Sequence, residues 1–582
     1  MTLSKIEINF ASACDRDKIY SLRHDVYASE LHQHPENKSK IIKDKLDEYN
    51  TYIIAKLNGK IVGFVSVTPP EKNVYSIDKY FDRADLPFTV DNDLYEIRIL
   101  TVVEGYRGKP IALALMWGAF RWIQSNGGKN IVAIGRTEFL SMYTKLGFKA
   151  MGQQVTSGKV IYELIFGNVN SLNSFILNNH LQLFRKVEQQ VLWNLKISFF
   201  KPTQCYHGGA FFEAIGSEFD ALNKRKDIIN ADVLDAWFNP SPKVLDELKT
   251  HLSWICKTSP PTDCGGMAAK IAEIRGVETE NILPGAGSSD LIFMAFQEWL
   301  TPKSRVLILD PTYGEYTHVL ENVIGCKVDR INLLKNENFV LSTEKLITES
   351  KNNYDLIVLV NPNSPTGQYI PKETLEIVLK KIPIETRVWI DETYIEYTGT
   401  NQSLEKFAVR RSNIIICKSM SKIYALSGLR SAYLCSSAYQ LEKLKAISPP
   451  WAVSLPAQIA AVNAMKDPEY YSKCYEETHE LRNEFVASLT AITSVEITQT
   501  TANFILCHLN PQGPTAAKFV ANCRKHGLYV RDISNMGTNI GKHTIRIAIK
   551  DRATNQKMLT IMKPLLLKQN EIAEANILTT NN

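Results

Sequence analysis

The order of apolar and polar positions in the first 165 residues predicts a mixed α/β domain. An apolar stripe opposite a charged one predicts a helix over 18–31. The turn L-N-G-K indicates a hairpin between the first two strands. A short loop after the third strand opens a strongly apolar helix. Strands are predicted over 52–56, 61–68, 93–103, 131–134 and 160–165.

A second, longer stretch contains apolar runs that end in polar turns, which is typical of buried strands. Such strands begin the segments 306–316, 357–367 and 388–397, and another covers 414–417. Helices are predicted over 245–256, 268–275, 453–465 and 470–489, and late strands over 504–509, 528–532 and 543–549. The fold class is therefore α/β.

The connection between the two stretches, 167–200, contains an amphipathic pattern over 175–196 that predicts one helix. That helix either closes the first domain or bridges the two domains. We expect domains over 1–166 and 201–568, and a frayed polar tail over 569–582.

Length and composition narrow the class of protein. The 582 residues are 45% hydrophobic and 22% charged, which is normal for two or three globular domains. The net charge of +6 is spread along the chain, so nucleic-acid binding has little support. The 10 cysteines lack metal-type spacing, and no apolar run is long enough to span a bilayer. We expect a cytoplasmic protein without a metal site.

A lysine at the end of an apolar strand is the first candidate for chemistry. Lys422 lies in K-S-M-S-K-I-Y-A-L-S-G-L-R, with Ser419 three residues before it and Arg430 eight residues after it. A desolvated amine is pushed towards its neutral, nucleophilic form, which suits a Schiff base. A hydroxyl and a guanidinium nearby suit a phosphate. On its own, a lysine near serines is more often a solvated loop residue.

A second candidate is the turn L-P-G-A-G-S-S-D-L-I, which opens an apolar helix. Gly287 permits close backbone approach, and Ser288 and Ser289 stand where the unpaired N–H groups of a helix start bind anions. Without the other motifs, this serine pair would be interpreted as a helix cap.

Polar and aromatic side chains follow three of the apolar strands. They are Tyr313, Asn363, Asp391 and Tyr394. Ligands bind at the carboxyl ends of the strands in open α/β sheets, so these positions indicate a shared site.

Together these motifs resemble the class I and II aminotransferases, and in particular the histidinol-phosphate aminotransferase branch. The resemblance covers nearly all of 201–568. It implies a mostly parallel seven-stranded sheet, a smaller α+β domain, bound pyridoxal 5'-phosphate (PLP), and an active site at a homodimer interface.

The resemblance also implies roles for individual residues. Lys422 would hold PLP as a Schiff base, Asp391 would pair with the pyridine nitrogen, and Tyr313 would stack on the ring. The cofactor's phenolate oxygen would be bound by Tyr394 and by Asn363, or by Ser364 in place of Asn363. The cofactor's phosphate would be bound by Gly287, Ser288, Ser289, Ser419 and Arg430.

Two arginines are implied substrate ligands. Arg546 matches the arginine that binds the substrate α-carboxylate, and Arg531 matches one that binds a substrate phosphate, although a strand-end surface role is equally consistent with its position. Ser259 stands where this branch usually has a tyrosine, which leaves the substrate class open.

The first domain resembles the GNAT acyltransferases over most of 15–166. Its strand-end carboxylate, Glu96, stands where that family often has a general base, and Tyr143 matches the tyrosine that often protonates the leaving thiolate. The family's pyrophosphate loop is matched by 107–112, in which Pro110 replaces a glycine and lacks an N–H donor. The acyl donor would be an acyl-CoA or an acyl carrier protein.

The reaction expected of the second domain is transamination between small amino and keto acids. A PLP-dependent lyase is the first alternative, because the same lysine site supports decarboxylation, elimination and cyclisation. In a second alternative, acyl transfer is the main activity and the PLP domain makes or consumes the acylated amine. In a third, the GNAT-like domain only binds a ligand.

Overall fold

The computed structural model describes residues 6–195, 197, 208–216, 218–492 and 495–580. The chain divides into two compact units, Met1–Lys201 and Pro202–Asn582. In the part that the structure describes, no helix combines the length and the apolar character needed to cross a membrane.

The first unit is built on one sheet, whose strand order is β6-β7-β5-β4-β3-β2-β1-β8. The hairpin between β2 and β3 turns at Asn58 and Gly59, which both have positive φ, as a two-residue turn of this kind requires. The strands are β1 (Ile6–Phe10), β2 (Thr51–Leu57), β3 (Lys60–Thr68), β4 (Leu94–Val102), β5 (Asn130–Arg136), β6 (Lys149–Ser157), β7 (Val160–Asn168) and β8 (Val191–Trp193).

Helices cover the sheet of this unit: α1 (Ala13–His24), α2 (Ile111–Ser125), α3 (Leu140–Lys145), α4 (Val169–Asn179) and α5 (Leu181–Gln190). The helix predicted over 18–31 is present, but α1 begins earlier and continues as a π-helical turn, Asp25–Glu30. The core of the unit gathers around the buried Trp117 and Phe120 of α2.

The prediction of one helix over 175–196 is wrong. The segment forms the end of α4, then α5 and β8, and β8 pairs in parallel with β1. Phe184 and Val187 of α5 are buried in the core of the first unit. The amphipathic pattern therefore closes this unit, because its apolar face covers the same core as α2.

The parallel strands β4 and β5 create the space for a site. They are paired over Leu94–Glu96 and Asn130–Val132 only. Beyond that point Ile99 has a φ of +50°, and the β3–β4 register shifts between Phe64 and Ser66. Such a bulge bends a strand away from its neighbour, which opens the sheet towards the carboxyl ends of β4 and β5.

The second unit contains the expected seven-stranded sheet, in the order β10-β16-β15-β14-β13-β11-β12. Its neighbours are paired in parallel except at β16, which is antiparallel to both β10 and β15. The strands are β10 (Ile282–Gly285), β11 (Arg305–Asp310), β12 (Lys327–Asn332), β13 (Leu356–Val360), β14 (Arg387–Asp391), β15 (Ile414–Ser419) and β16 (Ala432–Cys435).

Central strands are apolar at every position because both faces of the sheet are covered. In β13, Ile357 and Leu359 pack into one core, while Leu356, Val358 and Val360 pack into another. Polar residues such as Asn363 and Asp391 therefore occur only where these strands end, at the edge of the sheet.

A smaller sheet has the order β17-β18-β21-β20, and a separate strand, β9 (Ile229–Asn230), pairs in parallel with β19 (Leu528–Tyr529). The smaller domain thus combines segments from both ends of the second unit. Its four strands are β17 (Glu496–Thr498), β18 (Phe504–His508), β20 (Arg531–Asp532) and β21 (Thr544–Ala548).

The helices of the second unit are α6 (Phe211–Ala214), α7 (Pro242–Lys257), α8 (Gly265–Arg275), α9 (Ser288–Trp299), α10 (Gly314–Thr317), α11 (Thr343–Glu349), α12 (Lys372–Leu379), α13 (Glu405–Ala408), α14 (Met420–Ile423), α15 (Ala438–Ile447), α16 (Leu455–Met465), α17 (Pro468–Ile492), α18 (Ala516–Arg524) and α19 (Arg552–Thr580). The frayed tail expected from residue 569 is corrected by α19, which extends to Thr580; residues 581–582 lie outside the described chain.

Candidate active sites

A cavity of about 970 Å³ lies in the second unit at the carboxyl ends of β11, β13 and β14. This is where an open α/β sheet binds ligands. Of the candidate residues from the sequence, those that line the cavity are Ser289, Tyr313, Tyr394, Lys422, Arg430, Arg531 and Arg546. These residues come from both the large and the small domain of the unit.

Lys422 lies in α14, directly after β15, and its amine faces the cavity. Its Nζ donates to Asp235 Oδ1 at 2.8 Å and to Ser427 Oγ at 3.4 Å. Burial lowers the pKa of the Lys422 amine, and the Asp235 carboxylate opposes that shift. The positive charges of Arg546 and Arg430 lower it further.

An anion cradle lies at the start of α9. Gly287 has a φ of +101°, and a Cβ placed on it would lie 2.4 Å from Nη2 of Arg430. The backbone and the guanidinium are therefore closer than any residue with a side chain permits. Arg430 and Ser289 both line the cavity.

Three expected phosphate ligands, Gly287, Ser288 and Ser419, are not among the residues that line this cavity, although Gly287 lies against Arg430. Ser288 is the first residue of α9, and the buried Ser419 caps α14 by accepting from the Ser421 N–H at 3.3 Å. Ser421, whose Oγ accepts from Nη1 of Arg430 at 3.5 Å, is closer to the guanidinium.

Asp391 ends β14 and is buried. Its Oδ2 accepts from the Tyr316 hydroxyl at 2.7 Å, and its Oδ1 accepts from the Thr393 N–H at 2.9 Å and from the Thr393 hydroxyl at 2.6 Å. Burial raises the pKa of the Asp391 carboxyl, and the charge of Glu315 raises it further, against the lowering effect of these hydrogen bonds. The carboxylate is thus poised to accept a cationic partner.

Two tyrosine rings contribute to the cavity wall. The Tyr313 hydroxyl donates to Glu315 Oε2 at 2.8 Å, and the same oxygen accepts from Ser289 Oγ at 2.9 Å. Tyr394 packs edge-on against Phe504, with ring centres 5.6 Å apart. Burial raises the pKa of both hydroxyls, so both stay protonated over the ordinary pH range.

The structure places Ser364, and not Asn363, in the cavity. The Asn363 amide donates to the Pro311 carbonyl and to Thr366 Oγ1, both at 3.0 Å. The Asn363 side chain therefore stabilises the turn after β13. Of the two residues expected to bind the phenolate oxygen, Ser364 is the one that lines the cavity, and the expectation for Asn363 is corrected.

Arg546 is buried beside Ser364: its Nη1 donates to Ser364 Oγ at 3.2 Å and its Nη2 to the Asp232 carbonyl at 3.3 Å. Its Nε is buried with no hydrogen-bond partner among the described residues. Burial lowers the pKa of the Arg546 guanidinium, as does the charge of Arg531. This guanidinium is only partly satisfied, which is the state expected of a ligand-binding arginine.

A smaller cavity, of about 320 Å³, lies in the first unit between β4 and β5. It is mostly apolar, with a polar corner. That corner is formed by Tyr27, Arg98, Thr101, Arg136, Tyr143 and Tyr162. Burial raises the pKa of the Tyr143 hydroxyl.

Glu96 does not line this cavity. Its carboxylate is fully buried and accepts from the Ser76 N–H at 2.7 Å, the Ser76 hydroxyl at 2.5 Å and the Ile77 N–H at 3.1 Å. The part of β4 that lines the cavity begins one residue later, at Ile97, and the Glu96 carboxylate is bound by the 76–79 turn. The expectation that it is a general base there is wrong; it holds the 76–79 turn.

The loop that precedes α2 has an arginine that is already paired and a proline at the start of the helix. Arg107 pairs with Glu30, with Nη1 and Oε1 2.6 Å apart, and its Nε donates to the Val102 carbonyl at 3.1 Å. Pro110 is the N-cap residue of α2 and has no N–H to donate. An anionic donor at this loop would compete with Glu30 for Arg107.

Residues 232–561 match the family model of class I and II aminotransferases. The chain belongs to this family. Its aminotransferase domain is accompanied by an N-terminal GNAT-family acetyltransferase domain, matched over residues 16–148.

Known relatives cover the aminotransferase domain. A histidinol-phosphate aminotransferase of Staphylococcus aureus is 30% identical over 333 residues, which is 56% of this chain and 87% of the relative. The crystal structure of histidinol-phosphate aminotransferase from Sinorhizobium meliloti in complex with PLP has a TM-score of 0.54 at 19% identity, over 64% of this chain and all of that chain. That of L-threonine-O-3-phosphate decarboxylase from Porphyromonas gingivalis has a TM-score of 0.51 at 23% identity, over 58% and 99%.

PLP fits the cavity of the aminotransferase domain on the geometry of its own residues. The Gly287–Arg430 cradle suits the phosphate, Asp391 offers a buried anion, and the Lys422 amine lies in the same cavity.

Sequence reasoning missed three members of the site: Asp235, Glu315 and Tyr316. Glu315 and Tyr316 belong to the segment D-P-T-Y-G-E-Y, directly after Tyr313. This second polar and aromatic pair in the same turn could have indicated that they belong to the site. Asp235 carried no signal of its own, because only the folded chain brings it to Lys422.

Proposed function

We propose that the aminotransferase domain is a PLP-dependent transaminase for an amino acid or amino phosphate, and that the GNAT domain transfers an acyl group to an amine. The observation that carries the first part is that Lys422, Arg430 and Arg546 line one cavity. Gly287 lies against the Arg430 guanidinium, and Asp391 is bound by the hydroxyl of the neighbouring Tyr316. The same cavity also supports the cofactor assignment.

When bound, PLP supplies an electron sink for the carbanion at the substrate's α-carbon. Asp391 favours protonation of the pyridine nitrogen, because a buried carboxylate stabilises a positive charge beside it. Tyr316 and Thr393 hold that carboxylate in place through three hydrogen bonds.

Lys422 is the proton carrier of the proposed reaction. Its Nζ takes the α-proton when neutral and returns it when charged. Burial and the nearby arginines lower the pKa of the Lys422 amine and so favour its neutral form, since each disfavours the ammonium.

Arg546 orients the amino acid by its carboxylate, with Ser364 beside it. Arg531 gives the cavity a second cation on the neighbouring strand, which supports a substrate with a second anionic group, such as a phosphate or carboxylate. We include a homodimer in the proposal, since the family resemblance implies a shared active site.

In the GNAT domain, Tyr143 is the proposed acid for the leaving thiolate of an acyl-CoA or acyl carrier protein. Its hydroxyl lines the cavity and stays protonated because burial disfavours the phenolate. The apolar wall between β4 and β5 suits an acyl chain.

The test is single-turnover spectroscopy of the full chain with bound PLP. We expect amino acids that carry a second anion to convert the cofactor to its amine form, and a keto acid to reverse the change. Release of carbon dioxide or ammonia without that conversion would replace transamination by lyase chemistry. Failure of the wild-type chain to bind PLP would overturn the proposal for this domain.

A further inference from the structure

The Lys422 amine is held by a carboxylate that comes from a different part of the domain. Asp235 lies 187 residues earlier, in the segment between β9 and α7, and its Oδ1 is 2.8 Å from Lys422 Nζ. This segment is attached to the small-domain sheet, where the Ala548 N–H donates to the Ala231 carbonyl at 3.0 Å.

A second amine approaches the same residue. Lys550 follows β21, and its Nζ donates to the Asp235 backbone carbonyl at 3.4 Å. Burial lowers the pKa of the Lys550 amine to about 8, with the Lys422 charge also lowering it and the charges of Asp235 and Asp551 opposing. The two lysines therefore contact one residue at different atoms: Lys422 binds the carboxylate of Asp235, and Lys550 binds its backbone carbonyl.

We propose that Asp235 and Lys550 together control the reactivity of Lys422: the Asp235 carboxylate binds the Lys422 ammonium, and the Lys550 charge, held at the Asp235 backbone, offsets that carboxylate whenever the Lys422 amine is uncharged or covalently occupied. This inference rests on the proposed function of Lys422 as the cofactor-binding lysine. It assigns roles to two positioning residues outside the cofactor cradle.

The physical reason is charge balance at a partly buried site. An ammonium cannot attack a carbonyl carbon; the amine must first lose a proton to solvent, after which its nitrogen bonds to the carbon and the carbonyl oxygen leaves as water. Once Lys422 is neutral, the Asp235 carboxylate would be an unpaired charge without Lys550. An unpaired charge in such a site is costly.

The other charged groups around Lys422 lower the pKa of its amine. Arg546 and Arg430 both disfavour its ammonium, and Ser427 Oγ, 3.4 Å away, is neutral. Among the groups that the structure places on Lys422, Asp235 is thus the one that favours the ammonium, so its removal has a defined sign.

The experiment measures the reactivity of Lys422 against pH in the full chain cleared of PLP. Reductive methylation with formaldehyde, read by mass spectrometry of the Lys422 peptide, reports the neutral amine without PLP. Rebinding of PLP, read by absorbance, reports the same amine in its proposed role. The variants are Asp235→Asn, Lys550→Met and Lys550→Arg.

We expect Asp235→Asn to move the midpoint of both pH profiles down by about one unit or more, as loss of an opposite charge does. Lys550→Met should move the midpoint up, because a repelling charge is lost. Lys550→Arg should leave it close to that of wild type, because arginine keeps the positive charge. A purely structural role would not produce opposite shifts.

Midpoints within about 0.3 units of wild type in both Asp235→Asn and Lys550→Met would overturn the inference, being far below the expected effect of a contact charge. If Asp235→Asn does not fold, as judged by circular dichroism, the two Lys550 variants decide alone. Failure of wild type to bind PLP would instead refute the proposed function, while the formaldehyde profiles would still test the pair.

Discussion

Arg531 and Arg546 are directly opposite each other on the antiparallel strands β20 and β21, and both side chains line the cavity of the aminotransferase domain. The two guanidiniums share Asp232: Nη1 of Arg531 lies 3.5 Å from its Oδ1, and Nη2 of Arg546 donates to its carbonyl. Two cations in register suit a substrate with two anionic groups.

Replacement of these arginines by methionine should separate their roles. Arg546→Met should lower kcat/KM for every amino substrate by about 10- to 150-fold, the equivalent of a charged hydrogen bond worth about 1.5–3 kcal/mol. Arg531→Met should lower kcat/KM by a similar factor, but only for substrates with a second anionic group. Steady-state kinetics on paired substrates, with and without that anion, gives the comparison.

The control for both is Arg552→Met, since Arg552 is exposed and pairs with Glu484 outside the cavity. Equal losses on both substrate types in Arg531→Met would contradict a role for Arg531 in the second anion.

Gly287→Ala should weaken PLP binding by at least about tenfold. A Cβ at this position would lie 2.4 Å from Arg430 Nη2, so the guanidinium must move from the cradle. Gly325→Ala is the matched control, because Gly325 also has a positive φ, +84°, but nothing lies within 4 Å of its Cβ. Backbone strain adds about 1–2 kcal/mol at Gly325, which is left-handed with a ψ of 31°, and about 1–3 kcal/mol at Gly287, whose ψ of 161° places it in a region essentially restricted to glycine. Circular dichroism of both variants reports that strain as lost stability, and fluorescence titration with PLP reports the displacement of Arg430.

Asp44→Asn should destabilise the GNAT domain by about 1–2 kcal/mol, after allowance for solvent screening. Asp44 pairs with Arg98 and Arg23, and hydrogen bonding by Arg98 outweighs burial to lower the pKa of Asp44 to about 2. A lowered carboxyl pKa stabilises the fold above the ordinary value of 3.8.

That contribution should be lost as the pH falls from about 4 to about 2. Urea unfolding at pH 7 and at pH 2 measures the effect, and the exposed Asp25→Asn is the control. A deficit in Asp44→Asn that is as large at pH 2 as at pH 7 would argue against this ion pair as the cause.

Tyr143→Phe should lower the rate of acyl transfer by about 10²–10⁴-fold, the usual contribution of a positioned acid. Tyr162→Phe is the matched control: it lines the same cavity, but its hydroxyl already donates to Gln33 Oε1 at 2.8 Å. Thiol release from acyl-CoA donors provides the measurement. Equal effects of the two variants would remove Tyr143 from the proposed role.

Much of the aminotransferase site was readable from the sequence because its chemistry is local. Lys422, Asp391 and Gly287 each stand where an apolar strand gives way to a polar turn, and that transition is visible in the order of residues. Arg546 and the mostly parallel sheet were expected from the resemblance to the class I and II aminotransferases. Strands that are apolar on both faces agree with such a sheet.

The direction of a side chain was less predictable than its position. Asn363 and Ser364 are adjacent and both polar, and the turn uses the first while the cavity receives the second. Glu96 lies on the expected strand of the GNAT domain, but its carboxylate is bound by Ser76 and Ile77 instead of lining the cavity. Such outcomes depend on which distant turn packs against a strand, which the order of residues does not state.

The sequence by itself predicted the two domains, a lysine at the end of an apolar strand, and Ser289 and Arg430 beside it, because these depend on local patterns of burial and turn chemistry. Only the tertiary structure decided that Asp235 contacts Lys422, that Arg531 stands beside Arg546, and that the 175–196 segment closes the first unit. Each of these depends on which distant segments share a core, and a pairing between residues far apart in the chain leaves no mark on the pattern of either segment alone.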